Sequence, residues 1–238
     1  MDDLGDLTLW RVGYRSDPVG FAPRRHYGYS HRFDDLLERG WRTIYCAMRP
    51  ETALREVLAD LRPNTATIAR FKAKYGSGAI DELPVSSITA EWRRSNVLVP
   101  VKVAREDDWR VLDLTDQLTR QVVESRHAEL LADHGMAHLD LNEITTSRRA
   151  VTRQIATTAH DEEAVAVVRY PSRLDGLPCF ALFEGRASLK QAGDPVALSD
   201  PPPEALAHVA AGWALAMEAA PPVEAVAAPH LRRAGDAE

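Results

Sequence analysis

The segment from Tyr45 to Val57 constrains the fold of this 238-residue chain more than any other stretch. Its sequence is YCAMRPETALREV, in which the end of a strand passes through Arg49 and Pro50 into an amphipathic helix. Proline suits the first turn of a helix because its missing N–H would have no partner inside the helix there. Glu51 places a negative charge near the positive end of the helix dipole. The segment therefore predicts a strand followed directly by a helix.

One glutamate of this helix lies just outside its apolar stripe. At about 100° per residue the apolar side chains fill one continuous arc, and Glu56 lies about 60° beyond its edge. The arc contains Ala53, Leu54, Val57, Leu58 and Leu61. Glu56 is therefore predicted at the rim of the core. On this segment alone, an ordinary boundary residue is the simpler interpretation.

Three further segments supply residues that accompany Glu56. Arg11 lies in the strand-like LWRVGY, and Arg32 precedes the predicted strand Thr43–Ala47 in HRFDDLLERGWRTIYCA. Ser172 ends the strand-like run AVAVVRYPS. An early arginine, a second arginine before Y-x-A, a glutamate in T-A-L-x-E and a late Y-P-S resemble, in this order, the RES domain family. The family is named for its arginine, glutamate and serine, which correspond here to Arg11, Glu56 and Ser172, with Arg32 at the R-W/F position.

The resemblance implies an α+β fold similar to that of ADP-ribosyltransferases, with mixed twisted sheets around an NAD-binding cleft and flanking helices. Characterised members are toxins of bacterial toxin–antitoxin pairs. They deplete NAD by phosphorolysis or hydrolysis, or attach ADP-ribose to a protein, and their antitoxins block the cleft. In two places the motifs depart from the family: Val12 stands where some members have tyrosine, and H-R-F-D replaces G-R-W-N. The acceptor therefore stays open between phosphate, water and a protein.

The chemistry of the four positions suits a reaction on NAD. Arg11 and Arg32 could hold the diphosphate, because guanidinium groups stay charged and bind phosphate oxygens bidentately. The Glu56 carboxylate could stabilise positive charge on the ribose as nicotinamide leaves, or orient the nucleophile. Ser172 is expected to hydrogen-bond the nucleotide, since no His–Asp pair is evident to activate it as a nucleophile. Glu56, Arg11 and Ser172 are thus the predicted catalytic residues.

Both arginines also have a structural interpretation. Arg11 could stack on the neighbouring Trp10, and Arg32 could pair with Asp34 or Asp35 at the surface. Taken singly, each of these interpretations is the simpler one. The order of the four motif positions along the chain favours the functional interpretation.

The remaining candidates are of lower rank. Ser172 follows a proline in a string of turn-forming residues, so it could serve only the turn. Tyr45 is expected to be a packed strand aromatic with its hydroxyl in water and is left as a cleft wall. Thr152 and Gln154 stand where the family often has a polar helix that lines the pocket, and they are predicted to contact NAD.

Composition bounds the function without identifying it. The net charge of −6 argues against nucleic acid as a partner. The acidic N-terminus has no apolar targeting region, and no stretch approaches the roughly 20 apolar residues of a membrane span, so a cytoplasmic location is expected. Cys46 and Cys179 are predicted to be buried without a disulfide. The spacing of His127, His134 and His138 does not favour a metal site.

The predicted elements mix strands and helices without regular alternation. The predicted strands are Leu7–Val12, Thr43–Ala47, Thr65–Phe71, Val97–Val103, Arg110–Leu114, Ala164–Tyr170 and Pro178–Glu184. The predicted helices are Glu51–Leu61, Thr115–Gly135, Leu141–His160 and one C-terminal helix. This organisation gives a catalytic domain over residues 1–200 with a candidate insertion at 74–105, a helix within 201–220 and a disordered tail at 221–238.

The sequence thus predicts an NAD-degrading enzyme that cleaves the nicotinamide–ribose bond, either an NAD phosphorylase or an NAD glycohydrolase. Its expected role is the toxin of a type II toxin–antitoxin pair, with an antitoxin that covers the cleft. NAD is expected as the substrate and inorganic phosphate as a candidate co-substrate, with no permanently bound cofactor. A protein ADP-ribosyltransferase and a non-catalytic nucleotide- or partner-binding module are the alternatives. A homodimer is left open.

Overall fold

The computed structural model describes residues 4–22, 31–35, 40–76, 86–104, 109–146 and 148–222. The strands in these ranges are β1 Leu9–Tyr14, β2 Thr43–Ala47, β3 Ser87–Ile88, β4 Asn96–Ala104, β5 Arg110–Asp113, β6 Val165–Pro171, β7 Pro178–Phe183, β8 Ser188–Gln191, β9 Val196–Ala197 and β10 Ala216–Met217. The helices are α1 Pro50–Val57, α2 Thr65–Tyr75, α3 Ala90–Ser95, α4 Gln117–Arg126, α5 Ala128–Asp133, α6 Leu141–Thr145, α7 Arg149–Glu163 and α8 Glu204–Gly212.

A mixed sheet forms the centre of the described fold. Its strand order is β5-β6-β7-β2-β1-β4-β8, with β9 paired to β4. Only β5 and β6 run parallel in this sheet, and its other pairs are antiparallel. With helices flanking this sheet, the α+β fold class predicted from the sequence is confirmed. Six of the seven predicted strands are present, one with the predicted bounds and five with ends that differ by at most two residues.

The sheet separates two apolar cores. The first contains side chains of α1, α7 and α8, represented by Leu54, Ile155 and Leu206. The second lies on the other face and includes Leu9 and Phe180. Because side chains alternate along a strand, strands such as β2, β4, β6 and β7 contribute to both cores. A strand side chain can therefore lie near α1 only if it points into the first core.

The two cysteines illustrate this separation. Cys46 belongs to the second core and Cys179 to the first, although they lie on neighbouring strands. Both are buried free thiols, as the sequence predicted. Burial raises the pKa of the Cys46 thiol to about 12. It also holds the pKa of Cys179 well above the ordinary value. Their positions on opposite faces explain why they do not form a disulfide.

The predicted strand Thr65–Phe71 is wrong, because these residues lie in helix α2. The β-branched side chains suggested a strand. Asn64, however, caps the helix by accepting a hydrogen bond from the Thr67 N–H at 3.1 Å. The spacing of Ile68, Phe71 and Tyr75 also fits a helix period better than a strand period.

Other predicted helices have the right location and the wrong extent. The helix over Thr115–Gly135 is divided at His127 into α4 and α5, and that over Leu141–His160 is divided into α6 and α7. Helix α1 ends at Val57, and a short 3₁₀ helix, Ala59–Leu61, follows it. Val57 is 48% exposed, so its predicted place in the apolar arc is wrong.

The candidate insertion at 74–105 contains β4, which lies between β1 and β8 and pairs with all six residues of β1. This part of the segment belongs to the central sheet, and residues 77–85 and 105 lie outside the described ranges. The predicted C-terminal helix is present as α8, which packs against α1. Of the predicted tail, residues 223–238 are not described. Within the described ranges, no helix is both long and apolar enough for a membrane span.

Candidate active site

Helix α1 carries Glu56 at the edge of the first core. The helix starts with Pro50 after an extended Arg49, and Glu51 lies in its first turn, as the sequence predicted. Leu54 is fully buried, which fixes the apolar face of the helix against the sheet. Glu56 is half-buried, so its carboxylate lies at the rim of the core.

Ser172 meets Glu56 from the end of strand β6. Its hydroxyl donates a hydrogen bond to Glu56 Oε1, with an O···O distance of 2.6 Å. The same Ser172 Oγ accepts from the Leu174 N–H at 3.1 Å. Ser172 is only 2% exposed, and both contacts orient its hydroxyl toward α1. Two residues that the sequence proposed from distant motifs are therefore in direct contact.

Arg32 brings a positive charge to the same region. Its guanidinium donates to the carbonyl oxygens of Ile144, Thr145 (2.9 Å) and Thr146 (2.7 Å), at the end of helix α6. A cation there complements the negative end of the helix dipole. Burial lowers the pKa of Arg32 from its ordinary value, while the Glu56 carboxylate opposes that change. The partners of Arg32 in these hydrogen bonds are backbone carbonyl oxygens and not the surface aspartates of the structural interpretation.

Two more arginines lie near the Arg32 guanidinium. The positive charges of Arg173, which follows Ser172, and of Arg149, at the start of α7, also lower the pKa of Arg32. Burial and the charge of Arg149 lower the pKa of His31, and Asp34 opposes them. The Glu56 carboxylate and the guanidinium groups of Arg149 and Arg173 are therefore all near enough to act on Arg32.

Two tyrosines form part of the same surroundings. The Tyr45 hydroxyl donates to Asp34 Oδ1 at 2.9 Å and accepts from the Phe33 N–H at 3.0 Å, so the expectation of a hydroxyl in water is wrong. Tyr170 packs against Phe33, with ring centroids 4.8 Å apart. Burial raises the pKa of Tyr170 far above its ordinary value, and the nearby Glu56 carboxylate adds to that effect. Both phenols stay protonated at neutral pH.

The structure places Arg11 elsewhere. On β1 it shares a face with Leu9, whose side chain lies in the second core, and its charge acts on the Cys46 thiol. Its guanidinium donates to the carbonyl oxygens of Pro18 (3.0 Å) and Gly20 (3.1 Å), so it supports the loop after β1. The stack on Trp10 is also wrong, because Trp10 packs against the first core. The structure does not bring Arg11 beside Glu56, and its role in catalysis stays a prediction.

Thr152 and Gln154 both lie on helix α7. Thr152 is fully buried, and its hydroxyl donates to the Arg149 carbonyl oxygen at 3.1 Å. Gln154 is half-buried. Thr152 therefore supports the first turn of α7, and contact of either residue with NAD stays a prediction. No group of three or more His, Cys, Asp or Glu side chains suited to a metal ion occurs in the described ranges.

Comparison with known proteins identifies the family. A family model described as RES domain matches residues 8–202, which include Glu56, Ser172 and Arg32. The chain belongs to the RES domain family. A search of curated proteins gives no match. A solved structure that resembles this RES domain is the crystal structure of the M. tuberculosis MbcT–MbcA toxin–antitoxin complex. The similarity has a TM-score of 0.47 and 17% sequence identity, and it covers 78% of this chain and 81% of the other.

Sequence reasoning missed two residues near Glu56 and Arg32 in this RES domain. Tyr170 was visible as the tyrosine of Y-P-S, two residues before Ser172, and strand alternation would have placed both on one face. Arg149 had no such signal, because α7 reaches the site only through packing between distant segments. The family match ends at residue 202, so helix α8 lies beyond it.

Proposed function

We propose that this RES domain is an NAD-degrading enzyme that cleaves the bond between nicotinamide and ribose. The observation that carries the proposal is the contact of the Glu56 carboxylate with the Ser172 hydroxyl at 2.6 Å, close to the Arg32 guanidinium. The half-buried Glu56 carboxylate accepts a hydrogen bond from a neutral hydroxyl, and arginine side chains lie nearby. This arrangement suits a substrate that develops positive charge on one group and carries phosphates on another.

The chemical step follows from the charges involved. When the nicotinamide–ribose bond breaks, nicotinamide leaves with the bonding electron pair, and positive charge develops on the ribose ring. The Glu56 carboxylate stabilises that charge, as carboxylates do in glycoside hydrolysis. An oxygen of water, which releases a proton to solvent, or of the inorganic phosphate anion then forms the new bond at the same carbon. Ser172 holds the carboxylate in one orientation and takes no part as a nucleophile.

We assign the diphosphate of NAD to the arginine side chains of the site. Arg32 is the main candidate, and Arg149 and Arg173 are near enough to affect its pKa. Guanidinium groups bind phosphate oxygens through paired hydrogen bonds and stay charged when half-buried. Arg11 is not needed for this assignment.

The proposed biological role is that of the toxin of a toxin–antitoxin pair. This part of the proposal rests on the family, in which characterised members deplete NAD and are blocked by an antitoxin. A protein that consumes NAD without control would stop the growth of its own cell. A partner that covers the surroundings of Glu56 would prevent this.

The test is an incubation of the purified chain with NAD, with and without inorganic phosphate, followed by separation of the products. Release of nicotinamide by the parent, and none by Glu56→Gln, supports the proposal. ADP-ribose as the product identifies water as the acceptor, and a phosphorylated ADP-ribose identifies phosphate. ADP-ribose attached to protein, or NAD binding without turnover, would overturn the proposal in favour of a transferase or of a binding module.

A further inference from the structure

The turn after β6 is attached to helix α1 through a residue that the proposed chemistry does not use. Asp175 Oδ2 accepts hydrogen bonds from the Thr52 hydroxyl at 2.8 Å and from the Arg55 guanidinium at 2.9 Å. Asp175 Oδ1 accepts from the Leu177 N–H of its own turn at 3.2 Å. One carboxylate thus connects the turn that begins at Ser172 with the helix that carries Glu56.

The attachment lies one helical turn away from the catalytic pair. Thr52 and Glu56 are four residues apart on α1, so they lie on the same face and about 6 Å apart along the axis. Thr52 is fully buried and Asp175 is half-buried, which shields their hydrogen bond from water. The contacts at Thr52 and Glu56 therefore hold the turn against α1 at two levels of the helix.

The same turn sets the direction of the Ser172 hydroxyl. The Ser172 N–H donates to the Leu177 carbonyl oxygen at 2.8 Å, and the Gly176 N–H donates to the Ser172 carbonyl oxygen at 2.9 Å. Gly176 has φ +75°, a conformation that glycine adopts without strain. Since Ser172 Oγ also accepts from the Leu174 N–H, the shape of the turn determines the direction of the Ser172 hydroxyl proton.

The charge of Asp175 is matched to its partners. Burial acts to raise the pKa of its carboxyl, but the hydrogen bonds from Thr52, Leu177 and Arg55 bring the pKa below its ordinary value. Asp175 is therefore ionised at neutral pH and accepts from all three donors. An asparagine of the same shape would present an N–H₂ group to donors at one of its two positions.

We infer that Asp175 is a positioning residue that holds the turn of Ser172 against helix α1, so that the Ser172 hydroxyl donates to Glu56. Its consequence for turnover rests on the proposed function. Asp175 acts through Ser172, because its described hydrogen bonds are to Thr52, Arg55 and Leu177 and not to Glu56.

A double-mutant cycle on NAD turnover tests the inference. Asp175→Asn should lower kcat about tenfold and change KM by less than about twofold, because a displaced catalytic group costs rate more than binding. In a Ser172→Ala background, Asp175→Asn should lower kcat by less than about twofold, because the hydroxyl that Asp175 positions is already absent. Thr52→Val, which removes the buried donor, should reproduce the effect of Asp175→Asn. Asp194→Asn, an exposed carboxylate elsewhere, is the matched control.

An equally large effect of Asp175→Asn in both backgrounds would overturn the inference, because Asp175 would then act independently of Ser172. Hydrogen exchange provides a readout that does not depend on NAD. The Leu174 amide, which donates to Ser172 Oγ, should exchange at least about tenfold faster in Asp175→Asn than in the parent and in Asp194→Asn. Unchanged exchange would defeat the inference even in an active enzyme. A parent that leaves NAD intact, with exchange altered as expected, would defeat only the proposed function.

Discussion

The Ser172 hydroxyl donates to Glu56 Oε1 across 116 residues of sequence, with an O···O distance of 2.6 Å. Helix α1 and strand β6 belong to different parts of the chain, and the contact forms because both contribute to the first core. A serine has a single hydroxyl proton, and here it is committed to the carboxylate. Ser172 therefore holds the Glu56 carboxylate in one orientation.

Replacement of Glu56 by glutamine should remove activity and leave the fold intact. Glutamine keeps the shape and an oxygen that can accept from Ser172, but it loses the negative charge. Loss of a carboxylate that stabilises the transition state should cost several kcal/mol, or at least about a hundredfold in kcat. The free energy of unfolding should change by less than about 0.5 kcal/mol. Nicotinamide release and thermal melting measure the two effects, and Glu129→Gln on the exposed face of α5 is the control. Turnover by Glu56→Gln at the parent rate would refute the assignment.

Ser172→Ala should reduce activity less than Glu56→Gln does. The substitution removes one hydrogen bond to a charged group, which corresponds to about 1.5–3 kcal/mol, or roughly a 10- to 100-fold loss in kcat. Glu56 keeps its charge and retains part of its effect. Steady-state kinetics with NAD, beside the exposed control Ser188→Ala, measure the loss. A complete loss would instead assign Ser172 a direct part in the reaction, and parent-like kinetics would show that the contact is unimportant.

Arg32→Lys should weaken NAD binding although it keeps the charge. A lysine presents a point charge in place of a planar group, so paired hydrogen bonds to phosphate are lost. We expect an increase in Kd of about tenfold or more. The melting temperature should also fall by a few degrees, because the three carbonyl oxygens at the end of α6 lose their partner. Arg110→Lys, at an exposed position, is the control. If NAD titrations give the same Kd for Arg32→Lys and the parent, Arg32 serves only α6.

The sequence predicted those parts of the site that local signals encode. Pro50 and the apolar spacing of α1 placed Glu56 at the core's edge, and the strand before Ser172 ended where turn residues begin. The contact between them could not be predicted from local pattern, because it depends on how α1 and β6 pack. The resemblance to the RES domain family supplied that link, through the order of its motifs.

The position of Arg11 and the helical structure of α2 differ from expectation for different physical reasons. Arg11 was assigned to the site by its motif, yet the alternation of β1 directs its side chain to the opposite face, toward the loop at Pro18 and Gly20. Nothing in LWRVGY shows which face will be covered by helices. Residues Thr65–Phe71 were predicted as a strand, but the Asn64 side chain caps a helix there. Longer-range packing therefore decides the position of Arg11, whereas a local cap marks the start of α2.

His31 should make the folded protein sensitive to acid. Its pKa in the folded state is lowered by burial, so the unfolded chain binds the proton more readily. Its contribution to stability is complete above its ordinary pKa of about 6.5 and is lost as the pH falls through that value toward the lowered one. The melting temperature of the parent should therefore fall more than that of His31→Gln between about pH 8 and about pH 5.

His138 provides a control of opposite sign for this measurement. A hydrogen bond to Glu124 raises its pKa, so its contribution to stability is present at low pH and is lost as the pH rises. His138→Gln should accordingly lower the melting temperature more at acidic than at alkaline pH. Parallel pH curves for the parent and His31→Gln would contradict the prediction for His31.

Removal of the C-terminal tail after Ala220 should preserve NAD turnover, whereas removal of α8 should not. Ala220 and Asp200 exchange two hydrogen bonds: the Ala220 N–H donates to Asp200 Oδ2 at 2.6 Å, and the Asp200 N–H donates to the Ala220 carbonyl oxygen at 2.7 Å. Leu206 and Val209 of α8 are buried in the first core, beside the helix that carries Glu56. A chain ending at Ala220 keeps all of these contacts and should melt like the parent. A chain ending at Asp200 exposes the apolar face of α1, so it should melt several degrees lower and lose activity. If the chain ending at Ala220 behaved like the shorter one, the tail itself would have to contribute to the site or to assembly.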